Sequence, residues 1–373
     1  MLAAMNRLAV PFLFAALAAA LPCQKTLADL QKQFGEQVRA LDAQRPNRDQ
    51  RLQLLARQAE ALQKWVANDA AGDDRWNGRL MLADMQLARG ERDPAAAALQ
   101  GIGDEAPALV LVTAAAMAQH LRLKDKRDAW IATALAKDAP AADRLAMARL
   151  LAVVLHEVKA SDELFAKALA AASDDEQKAL VRWHQADSMR DREDLPDNAA
   201  FDELDKLAHD LPRTYWGSVA KDVLRATRLK VGDDAIAFTT KTRAGASFSL
   251  AEQTGKVVVL VFWSSADPDV GNLVTMLREL ERRFGDKLAV LGICCDPDPA
   301  AIDGTAQKLG IDFPVAGDGK GFQNDVALRW FVSAPVVQVI DKHGKVAALG
   351  QHAGTRDART ELQEAVAAAV QRD

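Results

Sequence analysis

The sequence predicts an α + α/β protein, an array of helical hairpins followed by a domain built on a parallel β-α-β crossover. Three observations predict it. From Asp29 to about Lys230, apolar residues recur at helical spacing in one run after another. Near Val231 the texture changes to β-branched residues, Gly and Pro, with the continuous apolar run "KVVVLVFW" (Lys256 to Trp263). A helix-spaced segment and a second apolar run then follow, the order that makes a right-handed crossover with a parallel sheet. At 373 residues the chain exceeds one ordinary compact domain. A net charge of −5 without a basic stripe leaves no electrostatic footprint for nucleic acid. Three cysteines are too few for a disulfide framework.

Residues 1–28 read as an export signal. Arg7 precedes the apolar run Leu8 to Pro22, too short for a comfortable membrane span. Cleavage fits after Ala20 or after Ala28. A lipid anchor on Cys23 is the alternative, but Pro22 stands where a lipobox wants a small residue. Beyond this leader no apolar run is long enough to cross a membrane, so no other membrane anchoring is expected.

Residues 29–228 are expected to be helical throughout. The spacing predicts helices over Leu52 to Val66, Arg144 to Val158 and Asp162 to Ala172. Gly90, Gly101 to Gly103, Pro140 and Leu195-Pro196 break the pattern into hairpins. Ala83, Gly90 and Ala95 are small residues at positions where two helices of a hairpin can approach closely. This part resembles, loosely, the tetratricopeptide repeats, with most of the consensus Trp and Tyr positions missing. An irregular helical bundle is the other reading.

Residues 229–373 carry the second domain. "KVVVLVFW" is a central strand buried on both faces, and Pro268 to Arg283 is a helix through Val270, Leu273, Met276, Leu277 and Leu280. "LAVLGICC" (Leu288 to Cys295) is a second buried strand, and Ala300 to Leu309 another helix. "PVVQVI" (Pro335 to Ile340), "DKHG" and "KVAALG" (Lys345 to Gly350) form a hairpin, and a closing helix runs from about Thr355 to Val370.

These segments resemble the redoxin branch of the thioredoxin superfamily, in particular exported TlpA/ResA-type proteins and the related AhpC/TSA group. "VGDDAIAF" (Val231 to Phe238), "AGASFSLAEQTGKVVVLVFW" (Ala244 to Trp263) and "VQVIDKHGKV" (Val337 to Val346) carry the resemblance. It implies a thioredoxin fold and, in ordinary members, dithiol chemistry at a Trp-Cys-x-x-Cys turn after the "FW" strand. Here those three positions hold Ala266, Asp267 and Val270. A dithiol exchanger needs an attacking thiolate and a resolving thiol, and neither Asp267 nor Val270 supplies one.

Asp267 fits the vacated niche as a helix N-cap, with Pro268 at the first helical position. The sharper reading makes it an acid/base or cation-binding group, with Asp269 beside it. Pro335 aligns with the family's cis-proline, which faces the active-site turn. The resemblance implies a substrate-peptide groove there, with Trp263, Asp269, Trp330 and Ala334 as candidate lining; the plainer expectation puts both tryptophans in the core. Cys294 and Cys295 end a buried strand with side chains on opposite faces, so they form no displaced CxxC. The six histidines show no metal-ligand spacing, and neither a metal nor a cofactor is expected.

Three functional readings follow. The first is an exported thioredoxin-fold binding or scaffolding module with a protein or peptide partner. The second is an oxidoreductase or peroxidase with a non-standard site. In the third, the second domain merely supports a structural helical array.

Overall fold

The computed structural model describes residues 26–372 apart from 43, 45, 69, 333, 334 and 353. The expected leader therefore lies, through residue 25, outside the described residues. The chain divides into two compact units after Leu207.

The first unit is helical among its described residues: α1 (Leu27–Asp42), α2 (Arg48–Asn68), α3 (Asp74–Ala88), α4 (Arg92–Gln100), α5 (Ala108–Leu121), α6 (Lys124–Leu135), α7 (Ala141–Val153), α8 (Val158–Ala171), α9 (Asp175–Met189) and α10 (Ala199–Asp210). Thr26 opens α1 through a reciprocal cap, since its hydroxyl accepts from the Asp29 N–H while its own N–H donates to the Asp29 carboxylate. Leu27, Leu30 and Phe34 are already core.

From α3 onward the helices pair as α3 with α4, α5 with α6 and α7 with α8. The first helix of each pair also packs on the first helix of the next. Ala83 and Ala95 are fully buried, as close approach within a hairpin requires. Gly90 turns α3 into α4 at φ 80°, a left-handed conformation that glycine adopts without a Cβ clash.

One sequence expectation needs correcting. Arg144 to Val158 reads as one helical run, but α7 ends at Val153 and α8 starts at Val158. The Arg127 side chain on α6 donates to the Leu155 carbonyl at 3.0 Å and pairs with Glu157. His156 takes a φ of 57° between them. The buried Ser161 hydroxyl then ties α8 back to α7 by donating to the Ala148 carbonyl at 2.8 Å. These polar contacts outcompete a periodicity that is continuous by itself.

The second unit contains α11 (Tyr215–Ala226), β1 (Thr239–Lys241), β2 (Ser247–Ser249), β3 (Val257–Trp263), α12 (Val270–Phe284), β4 (Leu288–Cys294), α13 (Pro299–Leu309), β5 (Val315–Ala316), α14 (Asp325–Arg329), β6 (Val336–Ile340), β7 (Val346–Gln351) and α15 (Arg356–Gln371). The main sheet has the order β5-β4-β3-β6-β7. β3 runs parallel to β4 and antiparallel to β6, so the crossover and the closing hairpin stand as the sequence predicts. All seven residues of β3 are buried. Alternation splits them between two cores. Val257, Val259, Val261 and Trp263 join α12 and α15 on one face, and Val258, Leu260 and Phe262 join α14 and the β1-β2 hairpin on the other.

The expected junction at residues 228/229 and the observed division after Leu207 differ by one helix. α11 packs on α14 within the sheet unit. Arg329 pairs with Asp222 at 2.6 Å and with Asp325 at 3.0 Å, while its side chain is 14% exposed. Tyr215 adds a hydroxyl bond to Asp325 at 2.8 Å. Helical periodicity alone does not reveal which neighbour a helix serves.

Candidate functional site

The turn after β3 is where the family resemblance places its chemistry. It contains Ser264, Ser265, Ala266, Asp267, Pro268 and Asp269, and regular helix begins at Val270. The Asp267 carboxylate accepts from the Asp269 N–H at 2.9 Å, and the Asp267 carbonyl accepts from the Val270 N–H at 3.4 Å. Asp267 thus closes the turn before α12, while the helix N-cap position falls to Asp269, which makes no side-chain cap bond, so the expected N-cap role of Asp267 is not met. Pro268 and Asp269 form that turn rather than the first residues of the helix, a shift from the expected helix start. Asp269 stands at the N-terminus of α12, with Asn272 Nδ2 donating to it at 3.4 Å. A Cβ added to Gly354 would come within 3.0 Å of the Asp269 carboxylate, so the backbone there closes over this side chain. Val270, at the resolving-thiol position, is buried in the α12 core and supplies no polar atom.

A residue outside the candidate set organises the turn. Asp296, just beyond β4, is 3% exposed. Its carboxylate accepts from the Ser264 hydroxyl at 2.6 Å and from the Ser265 N–H at 3.0 and 3.1 Å. The Cys295 N–H donates to the Trp263 carbonyl at 2.7 Å, extending the β3-β4 register to the edge of the turn. A buried carboxylate held by a hydroxyl and a backbone amide keeps its charge solvated by the protein. The available sequence signal is a serine pair following one parallel strand and an aspartate following its neighbour.

The two tryptophans do not flank one groove. Trp263 lies in the core shared with α12, and Trp330 in the core on the opposite face of the sheet. They are 2% and 4% exposed, and the indole N–H of each has no hydrogen-bond partner among the described residues. Pro335 is half-buried, and its carbonyl lies 3.0 Å from His352 Nδ1. Ala334, and with it the peptide bond preceding Pro335, falls outside the described residues.

Cys294 and Cys295 are buried, one in each core, as strand alternation predicts. Burial, then the charge of Asp296, pushes the Cys294 thiol far above the ordinary range. Burial and the charges of Asp296 and Asp318 push Cys295 up to about 12. Both shifts favour the neutral thiol over the nucleophilic thiolate. Among the described residues, no group of three or more His, Cys, Asp or Glu is placed to hold a metal ion.

Comparison with known proteins places this unit. Residues 231–349 match the AhpC/TSA family. A thioredoxin-like protein from Bacillus subtilis, YneN, is 26% identical over 145 residues, which cover 38% of this chain and 82% of that protein. Among solved structures, the thioredoxin domain of a thiol-disulfide oxidoreductase from Bacteroides vulgatus is 21% identical with a TM-score of 0.33, covering 37% of this chain and 99% of that one. A secreted Mycobacterium tuberculosis disulfide oxidoreductase is 23% identical with a TM-score of 0.31, covering 35% of this chain and 95% of that one.

Proposed function

We propose that this chain, whose residues 231–349 are an AhpC/TSA-type thioredoxin-like domain, works in the cell envelope as a binding module without thiol chemistry. One observation carries the proposal: the turn after β3 has a carboxylate where the family has its attacking thiol. The partner is a protein or peptide, engaged by a thioredoxin frame whose turn is fixed through Asp296 rather than poised for exchange. Export rests on the leader-like residues 1–28. The burial of Leu27 in the helical core supports cleavage after Ala20 over cleavage after Ala28, which would remove it.

A second reading has the family match in its favour: an oxidoreductase that uses Cys294 or Cys295. Insulin-reduction and peroxide-consumption assays on the purified chain separate the two. The binding-module reading expects rates at background. Turnover abolished by Cys294→Ser or Cys295→Ser would establish the oxidoreductase instead.

A further inference from the structure

The first helical hairpin holds an unusual cleft. It lies between α1 and α2 with a volume of about 460 Å³, within the range of roughly 300–1,000 Å³ seen for ligand clefts. Facing stripes of an αα-hairpin ordinarily carry apolar residues that close on each other. Here glutamines occupy half of the lining. Gln33 and Gln37 come from α1, Gln44 from the turn that follows it, and Gln50, Gln53 and Gln58 from α2.

At the floor, buried Gln58 donates to the Phe34 carbonyl and to Gln37 Oε1, both at 3.1 Å, which fixes two of the carboxamides. Gln53 is exposed and has no partner among the described residues. Among the described residues, Arg57 is the one charged residue of the lining, and it has no ion-pair partner there. Apolar contact comes from Phe34, Leu41 and Leu54. Closing this cleft on itself would bury carboxamides without enough partners, which is unfavourable.

We infer that the α1-α2 cleft binds a short extended peptide segment bearing an acidic side chain. A carboxamide offers one acceptor and two donors, which complement the alternating C=O and N–H of an extended main chain. Arg57 supplies a planar, permanently charged partner for a carboxylate. No acidic side chain in the lining competes for it. The α1 lining from Gln33 to Leu41 runs about 12 Å, the length of roughly three to four extended residues. This site belongs to the helical unit and is independent of the thiol-free turn, so either reading can fail alone.

The test is panning of a phage-displayed random heptapeptide library against the immobilised full chain. Enriched sequences are then titrated as fluorescent synthetic peptides by anisotropy. Sequences sharing an Asp or Glu at one position are expected. Arg57→Ala is expected to weaken their binding about tenfold, the effect of losing one charge-assisted contact. Arg57→Lys should retain part of the affinity, and Gln53→Ala should lose a few-fold. Both side chains are exposed, and unchanged circular dichroism serves as the folding control. If Arg57→Ala misfolds, Arg57→Gln gives the same readout. Absence of acidic enrichment would overturn the inference, as would peptides that bind the Arg57 variants as tightly as the parent. Binding of neutral oligosaccharides in place of peptides would also overturn it.

Discussion

In the helical unit, each hairpin packs on the one before and after it in sequence. In the sheet unit, β3 pairs with β4 across one crossover and with β6 some eighty residues downstream (Val258 opposite Ile340). In the helical unit the contacts are mostly between helices close in sequence, so a polar cleft can open in one hairpin while the rest stands. The sheet unit depends on one central strand, and every residue of that strand is committed to a core. Its freedom to change lies only in the turn beyond Trp263. That turn holds Asp267, and Val270 opens the helix after it.

The largest expected effect concerns the sheet unit's dependence on α11. A fragment of residues 229–373 lacks Asp222 and leaves the largely buried Arg329 with Asp325 alone. The fragment also loses the face that α11 packs on α14, so it should melt at lower urea than residues 208–373, or fail to fold. Equal stability of the two fragments would place α11 with the helical array.

The helical unit should instead show its weak point in acid. Burial, and then the charge of Arg149, hold His184 down at about 4, against 6.5 for an unhindered imidazole. The folded state thus binds fewer protons than the unfolded state between these values. Stability is full above about pH 6.5 and falls as pH drops toward 4, by up to about 3 kcal/mol. Urea melts across this window should show the loss, and His184→Gln should flatten it.

At the turn, Asp296→Ala removes the acceptor of the Ser265 N–H and the Ser264 hydroxyl. It should cost about 2 kcal/mol, with Asp296→Asn milder. Asp267→Ala loses the hydrogen bond to the Asp269 N–H and should cost about 1 kcal/mol, and Asp267→Asn less, because its amide oxygen can accept the same bond. Denaturant melts of all four variants rank these effects. If Asp267→Ala matches the parent, that bond contributes nothing and a functional role for Asp267 leads.

The two units differed equally in how far the sequence revealed them. The buried strands, α12, α13, the β6-β7 hairpin and α15 could be read because each is a run of matched period or a known motif. β5 has two residues, α14 five, and β1 and β2 three each, too short for any periodicity to register. α11 has helical period, but that period does not name its neighbour, since its partner Arg329 lies over a hundred residues downstream. Asp267 was legible from its place in a motif. Asp296 was not, because its role exists only once β4 lies beside β3. Trp263 and Trp330 look like a pair in sequence, but strand alternation and the sheet separate them.

The absence of thiol chemistry is tested most directly by alkylating the native chain with a maleimide at pH 8 and mapping the modified peptides by mass spectrometry. Cys294 and Cys295 should remain unmodified until denaturant is added, because both are buried and their pKa values are raised. Labelling of either residue in the native protein, faster than the chain unfolds, would show an accessible thiolate and contradict the binding-module reading.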